Sequence, residues 1–221
     1  MNDMRIDYRL NALVDASLAD IAPLPELAAV AARHGATIIQ YRDKHSSTRE
    51  MIQQAVLILQ ALQGTGVPLV INDRVDVALA SGADGVHLGA DDMDAATVRR
   101  LLGPAAIIGL TVKNMDDAER AGNAPADYAC IGGVFDTVSK VNPDAPVGLE
   151  GFRGLRNVLK DMRPDMPVGA IAGITLEKVP ALIAAGADGV AVISGLFRAT
   201  DIAAAARYFR HHVDIALEAR R

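Results

Sequence analysis

A chain of 221 residues with 22 Lys and Arg against 27 Asp and Glu has a formal net charge of −5, which argues against a nucleic-acid surface and makes any local cluster of cations a candidate site. A single cysteine, Cys130, excludes an internal disulfide framework and suits a reducing compartment, and no uninterrupted apolar stretch approaches the roughly 18 residues of a membrane span. The opening Met1-Asn2-Asp3-Met4-Arg5 leads into no apolar signal core, so the expectation is a soluble, cytoplasmic protein with no membrane partner. Hydrophobic residues make up 51% and aromatics only 4%, which predicts a core of Ala, Val, Leu and Ile, the composition of helices packed on a buried parallel sheet.

In chain order, strands are predicted near 8–14, 36–41, 68–72, 85–88, 106–111, 127–132, 167–172 and 189–193. Helices are predicted near 24–34, 47–62, 74–81, 94–102, 115–122, 149–160, 175–185 and 201–218. Strict alternation with short connections means parallel strands and right-handed crossovers, and eight such units close most naturally into a (β/α)8 TIM barrel occupying 1–221 as a single domain. An open doubly wound sheet is the alternative. Gly82-Ala83-Asp84-Gly85-Val86 recurs as Gly186-Ala187-Asp188-Gly189-Val190, each time after an Ala-rich helical segment and before a short strand. The glycine suits a left-handed helix end, and Asp-Gly suits a turn into the next strand. The segment 132–148, rich in Gly, Pro, Asp and Asn, is the one extended loop and reads as a lid after strand six.

In a barrel of this kind the reactive groups gather at the carboxyl ends of the strands. The second strand becomes Gln40-Tyr41-Arg42-Asp43-Lys44, whose period of two places an amide and two cations on one face. A forked guanidinium beside a mobile ammonium suits a phosphorylated ligand; a solvated strand end is the plainer reading. Strand three ends in Asn72-Asp73 and strand four in Gly89-Ala90-Asp91-Asp92, so adjacent strands bring carboxylates to one rim, as Mg2+ requires. Helix caps at Asp73 and at Asp91, Asp92 or Asp94, or an ion-pair network, are the structural alternatives. Thr111 ends strand five, with Asn114 as the next helix cap. Phe135-Asp136-Thr137-Val138-Ser139-Lys140 sets two hydroxyls at alternate positions beside a Lys. Gly173 after strand seven, with Ile193 and Ser194 after strand eight, falls where barrels often build phosphate sites from backbone N–H groups; turn glycines and a cap are the alternative. Cys130, in an apolar strand without an evident base, reads as core packing, and His87 as a hydrogen-bonded interior side chain.

The joint order of Gln40-Tyr41-Arg42-Asp43-Lys44, Asn72-Asp73, Gly82-Ala83-Asp84-Gly85-Val86-His87-Leu88-Gly89 with Asp92, Thr137-Val138-Ser139-Lys140, Gly148-Leu149-Glu150-Gly151, Ala170-Ile171-Ala172-Gly173-Ile174 and Ile193-Ser194 resembles thiamine phosphate synthase over essentially the whole chain. The resemblance implies a TIM-barrel transferase joining hydroxymethylpyrimidine diphosphate to a thiazole phosphate, with Mg2+ as cofactor and release of diphosphate. It implies that Gln40 and Asn72 hold the aminopyrimidine, that Thr111 contacts it, and that Arg42, Lys44 and Lys140 take the diphosphate. It further implies Mg2+ on Asp73 and Asp92, and the thiazole phosphate on Thr137, Ser139, Gly173, Ile193 and Ser194. A homo-oligomer is compatible with this resemblance. Departures from the family pattern are Thr111 for Ser, Ser139 for Thr, Gly133 for Pro, Ala172 for Gly and Ala90 for Gln. Lys113 stands where related sequences often carry the His implied as the acid–base residue of the sister thiazole tautomerases. A tautomerase and a non-catalytic barrel binding a phosphorylated metabolite are thus the alternatives, and the retained diphosphate and metal positions favour the synthase. The absence of a Ser, Cys or His nucleophile agrees with a dissociative substitution, in which a basic ring nitrogen is itself the attacker.

Overall fold

The computed structural model describes residues 6–136 and 145–220. Eight parallel strands pair in sequence order: β1 (Leu10–Asp15), β2 (Ile38–Arg42), β3 (Leu69–Asn72), β4 (Gly85–Leu88), β5 (Ile107–Val112), β6 (Tyr128–Ile131), β7 (Val168–Ile171) and β8 (Gly189–Val192). β8 then pairs with β1 through Leu10↔Val190 and Ala12↔Val192, which closes the ladder and excludes the doubly wound sheet. Around the barrel lie α1 (Leu24–Arg33), α2 (Thr48–Leu62), α3 (Val75–Ser81), α4 (Ala95–Leu102), α5 (Met115–Asn123), α6 (Gly148–Met162), α7 (Val179–Ala184), a short α8 (Ser194–Phe197) and α9 (Ile202–Ala219). Two details depart from the expected pattern. The segment expected as one helix over 175–185 opens as a 3-10 turn at Leu176–Lys178, and α8 is an extra turn of helix directly after β8. Among the described residues no helix is long and apolar enough to cross a membrane.

Local chemistry explains the helix starts. Ser47 and Glu50 form a reciprocal capping box at α2, while the Asp94, Asn114 and Asp201 side chains accept from Thr97, Asp117 and Ala204 N–H groups at α4, α5 and α9. α3 ends on Gly82 at φ 74°, the left-handed cap that a residue without Cβ adopts cheaply.

Alternation along the strands makes two cores. Outward residues such as Leu10, Val14, Ile39, Ile71 and Val86 pack under the helices, whereas Leu13, Ile38, Val70, Ile107, Tyr128 and Cys130 fill the interior. Tyr8, just before β1, and Tyr128 stop the amino end, with ring centroids 4.8 Å apart. Glycines make room for them: a Cβ at Gly169 would lie 1.8 Å from the Tyr8 ring, and one at Gly109 would lie 2.0 Å from that of Tyr128.

The repeated Gly-Ala-Asp-Gly motif also has a role beyond turning the chain. Asp84 donates its N–H to Leu69 O at 2.9 Å and accepts from Leu69 N at 2.8 Å, clamping the start of β3 to the approach of β4. Asp188 does the same to Val168 of β7, Asp127 to Ile108 of β5, and Thr37, through its hydroxyl, to Leu10 of β1. Each odd strand is thus tied at its base by the polar residue that precedes the following even strand. Leu69 is fully buried, so its N–H has no water to turn to. Asp84→Ala is expected to cost about 1–3 kcal/mol, read as a lower urea midpoint at unchanged slope; an unshifted midpoint would remove the clamp from the stability of the barrel.

Candidate active site

Every candidate residue within the described part of the chain lies at or just beyond the carboxyl end of a strand. Gln40 is buried and points inward, and Arg42, two positions on, pairs with Asp15 at the end of β1, opposite it in register. Asp15 is an acidic partner the sequence pattern did not single out. Its desolvation, which would raise the carboxyl, is outweighed by hydrogen bonds from Ser17 and Arg42, so it titrates below the ordinary range. β2 ends at Arg42, so the pleat does not carry Lys44 as the alternation rule suggested. Asp43 places it instead: this buried carboxylate accepts from Tyr41 Oη at 3.0 Å and from the His45 and Ser46 N–H groups at 2.9 and 3.0 Å. The turn that results sends Lys44 across to the Asp73 carboxylate.

Neither Asp73 nor Asp92 caps a helix. The N-cap of α3 is Arg74, with no side-chain bond, and α4 is capped by Asp94. Asp73 takes φ 63°, a left-handed conformation that Asp tolerates better than most residues, and its N–H donates to His87 O of the neighbouring strand at 2.8 Å. Asp92 accepts from Gly89 N at 2.6 Å and lies against the Asp73 carboxylate. Burial, then the neighbouring carboxylate, push Asp92 above its ordinary range. Asp73 faces the same burial but is held down by hydrogen bonds from Lys44 and Asp92. The ion-pair network, the structural alternative to a metal site, is therefore present, and it leaves one carboxylate poorly compensated.

Three hollows are lined by residues of this end: one of about 610 Å³ walled by Gly89, Asp92, Thr111 and Arg120, and two more that share part of their lining. The smaller of these two, about 90 Å³, is walled by Gln40, Asn72, His87 and Thr111, with Arg42 and Lys113 beside them. Lys113 makes no ion pair among the described residues. The larger of the two, about 340 Å³, lies over the ends of β7 and β8 and is walled by Gly173, Lys178, Ile193 and Ser194. Ile171, Ala172, Ala191 and Ile193 line both of these hollows, so the two are neighbours. Lys178 is a further residue the sequence pattern did not mark. It donates to Gly173 O at 2.7 Å and sits 4.3 Å over the Phe135 ring. Gly173, at φ 63°, has no room for a Cβ, which would sit 2.2 Å from Asp136 O. Ala172, at φ 90°, is a non-glycine residue in the same unusual region.

Cys130 is buried core as expected, its thiol pushed up to about 12 by burial. His87 is likewise an interior hydrogen-bonded side chain, 3.0 Å from Tyr128 Oη and 2.8 Å from Thr111 Oγ1. The expected lid segment is held at both ends. Val134 and Phe135 N–H groups donate to Ile171 and Ala172 O at 3.2 Å, and Val147 and Gly148 return to Gly133 and Val134 O. Thr137, Ser139 and Lys140 lie outside the described residues.

Cations, carboxylates, amides and hydroxyls converging on one mouth of a closed parallel barrel define a protein of the TIM-barrel enzyme class, whose active sites lie at this end. The model of the family described as thiamine monophosphate synthase matches residues 10–196. A thiamine-phosphate synthase of Agrobacterium fabrum (strain C58) is 75% identical, covering 98% of each chain, and one from Chloroflexus aurantiacus is 41% identical, covering 96% of each. The solved thiamine phosphate pyrophosphorylase of Pyrococcus furiosus superposes with a TM-score of 0.83 at 34% identity, covering 97% of this chain and all of that one. The chain belongs to the thiamine monophosphate synthase family, and the activity of that family, formation of thiamine phosphate by a transferase reaction, is its own.

The carboxylate pair has a measurable signature. A carboxyl with a raised folded pKa binds its proton more tightly in the native state, so Asp92 costs stability as pH rises through its folded value; Asp73, depressed, contributes stability that is lost as pH falls through its own. Asp92→Asn is therefore expected to raise the melting temperature of the metal-free protein at pH 7 by a few degrees, with the gain vanishing in acid. A melting temperature unchanged at pH 7 would mean the two carboxylates do not oppose each other.

Proposed function

We propose that the two neighbouring hollows hold the two substrates of thiamine phosphate synthesis, the pyrimidine ring in the smaller and the thiazole phosphate in the larger. The observation that supports this reading is the lining shared through Ile171, Ala172, Ala191 and Ile193, which sets the two hollows side by side. Gln40, Asn72 and Thr111 offer amides and a hydroxyl to an aminopyrimidine ring. Arg42 and Lys44, together with Lys140, take the diphosphate, and Lys113 adds positive charge to the smaller hollow. Gly173, Ile193 and Ser194, with Thr137 and Ser139, take the thiazole phosphate.

Asp73 and Asp92 suit a divalent cation of the Mg2+ type. Both offer only hard oxygen ligands, and the strain between their charges is of the kind such an ion relieves. Two carboxylates are few, as expected for an ion that keeps water and takes phosphate oxygens as its remaining ligands; among the described residues no group of three or more acidic, His or Cys side chains could hold a metal alone. When bound, the ion supplies further neutralisation of the diphosphate oxygens.

In this reading the bond from the pyrimidine methylene carbon to the diphosphate oxygen breaks first. Arg42, Lys44 and Lys140 meet the charge that accumulates on the leaving group, while Gln40 and Asn72 keep the ring in place. The thiazole nitrogen, delivered from the neighbouring hollow, captures the carbon, so no side chain has to act as a nucleophile.

The decisive assay combines purified protein, both substrates and Mg2+, and follows diphosphate and thiamine phosphate together; equal amounts of the two are expected. Lys140→Ala is expected to lower kcat about a hundred- to thousandfold with little change in KM for the thiazole phosphate, and unaltered kcat would remove Lys140 from the leaving-group site. Excess chelator is expected to stop turnover. Full activity in chelator would show that Asp73 and Asp92 do not serve as metal ligands in the reaction.

A further inference from the structure

Tyr128 lies deeper than any group assigned above, yet it connects to the ligand chamber. Its ring packs against Gly109 and stacks near that of His87, with centroids 5.5 Å apart and planes 20° apart. The phenol is fully enclosed, and burial pushes its ionisation far upward, so the hydroxyl keeps its hydrogen at any working pH. That hydrogen needs an acceptor, because an unbonded buried hydroxyl is costly. The hydrogen bond Tyr128 makes among the described residues is to His87 Nδ1, at 3.0 Å.

The consequence passes along the imidazole. In a neutral ring one nitrogen donates and the other accepts. If Nδ1 accepts from Tyr128, the ring hydrogen resides on Nε2, 2.8 Å from Thr111 Oγ1. Thr111 then receives a hydrogen bond from behind, and its own single hydrogen is directed elsewhere. Both Thr111 and His87 wall the smaller hollow. The opposite tautomer would have Thr111 spend its hydrogen on His87 and show lone pairs to the chamber.

We propose that Tyr128 and His87 are positioning residues that lock Thr111 as a hydrogen-bond donor toward the ligand, so that this wall selects a ring bearing an acceptor nitrogen there. The donor role rests on the placement of the pyrimidine ring in the smaller hollow. A ring with an acceptor nitrogen beside an exocyclic amine matches a donor at Thr111 with amide oxygens from Gln40 and Asn72; a ring carrying N–H at that place does not.

The test separates the relay from the ligand reading. Nitrogen-15 spectra of His87 in the ligand-free wild-type protein are expected to show hydrogen on Nε2, and a Tyr128→Phe variant, which keeps the ring over Gly109, is expected to show a mixture of tautomers. Hydrogen on Nδ1 in the wild type overturns the relay whatever the substrate. Titration with hydroxymethylpyrimidine diphosphate alone is expected to give about threefold to tenfold weaker binding for Tyr128→Phe, the scale of one neutral hydrogen bond. In a Thr111→Val background the same substitution is expected to have no further effect on binding, although it lowers the urea midpoint in both backgrounds. Equal binding losses in both backgrounds overturn the route through Thr111. A Thr111→Val variant that binds as well as wild type overturns the placement of the ring at this wall, and the spectrum of the wild-type protein still decides the relay.

Discussion

Closure of the strand ladder governs everything else in this molecule. Once β8 pairs with β1, the inward set of each strand is committed to a common axis, and residues 180 positions apart in the chain, such as Leu10 and Val190, become neighbours. A shift of one residue in any strand would send Gln40, Asn72 or Thr111 out under the helices. The four clamps at the base, formed by Thr37, Asp84, Asp127 and Asp188, hold that register where it is hardest to correct, at the start of the strand pairs. The site therefore depends on side chains at the opposite end of the barrel from the chemistry.

At the mouth, charge is arranged in opposed pairs rather than as a simple basic patch. Arg42 and Lys44 are each already matched by a carboxylate, Asp15 and Asp73, which keeps them oriented without an occupant. Asp92 is the member left over, and burial together with its neighbour Asp73 makes its ionisation unfavourable. Under the function proposed above, such a site suits a composite of anion and cation: the cations would trade their internal partners for phosphate oxygens, and the paired carboxylates would gain from a positive ion.

Much of this was legible in the sequence because period-two runs, Ala-rich helical segments and turn residues repeat at regular spacing, and β4 was read to its exact bounds. What escaped notice has physical causes. Lys44 reaches the site through the turn that Asp43 builds, and no strand periodicity encodes a side chain that closes its own loop. Asp15 gains meaning only from Arg42, which strand pairing sets beside it, and Lys178 only from a turn that carries its side chain back to Gly173, five residues earlier. The Gly-Ala-Asp-Gly repeat was visible as a turn, whereas the grip of its Asp on the preceding strand depends on a pairing partner that the repeat itself does not name. Tyr128 carried no signal in the sequence, because its hydroxyl meets His87 only when the barrel brings β4 and β6 to a common interior.

The aromatic stopper at the amino end has a last consequence. With Tyr8 and Tyr128 seated over Gly169 and Gly109, the interior is a cul-de-sac and not a corridor. Whatever enters or leaves the barrel interior therefore passes on the carboxyl side alone, where Gln40, Asn72 and Thr111 lie.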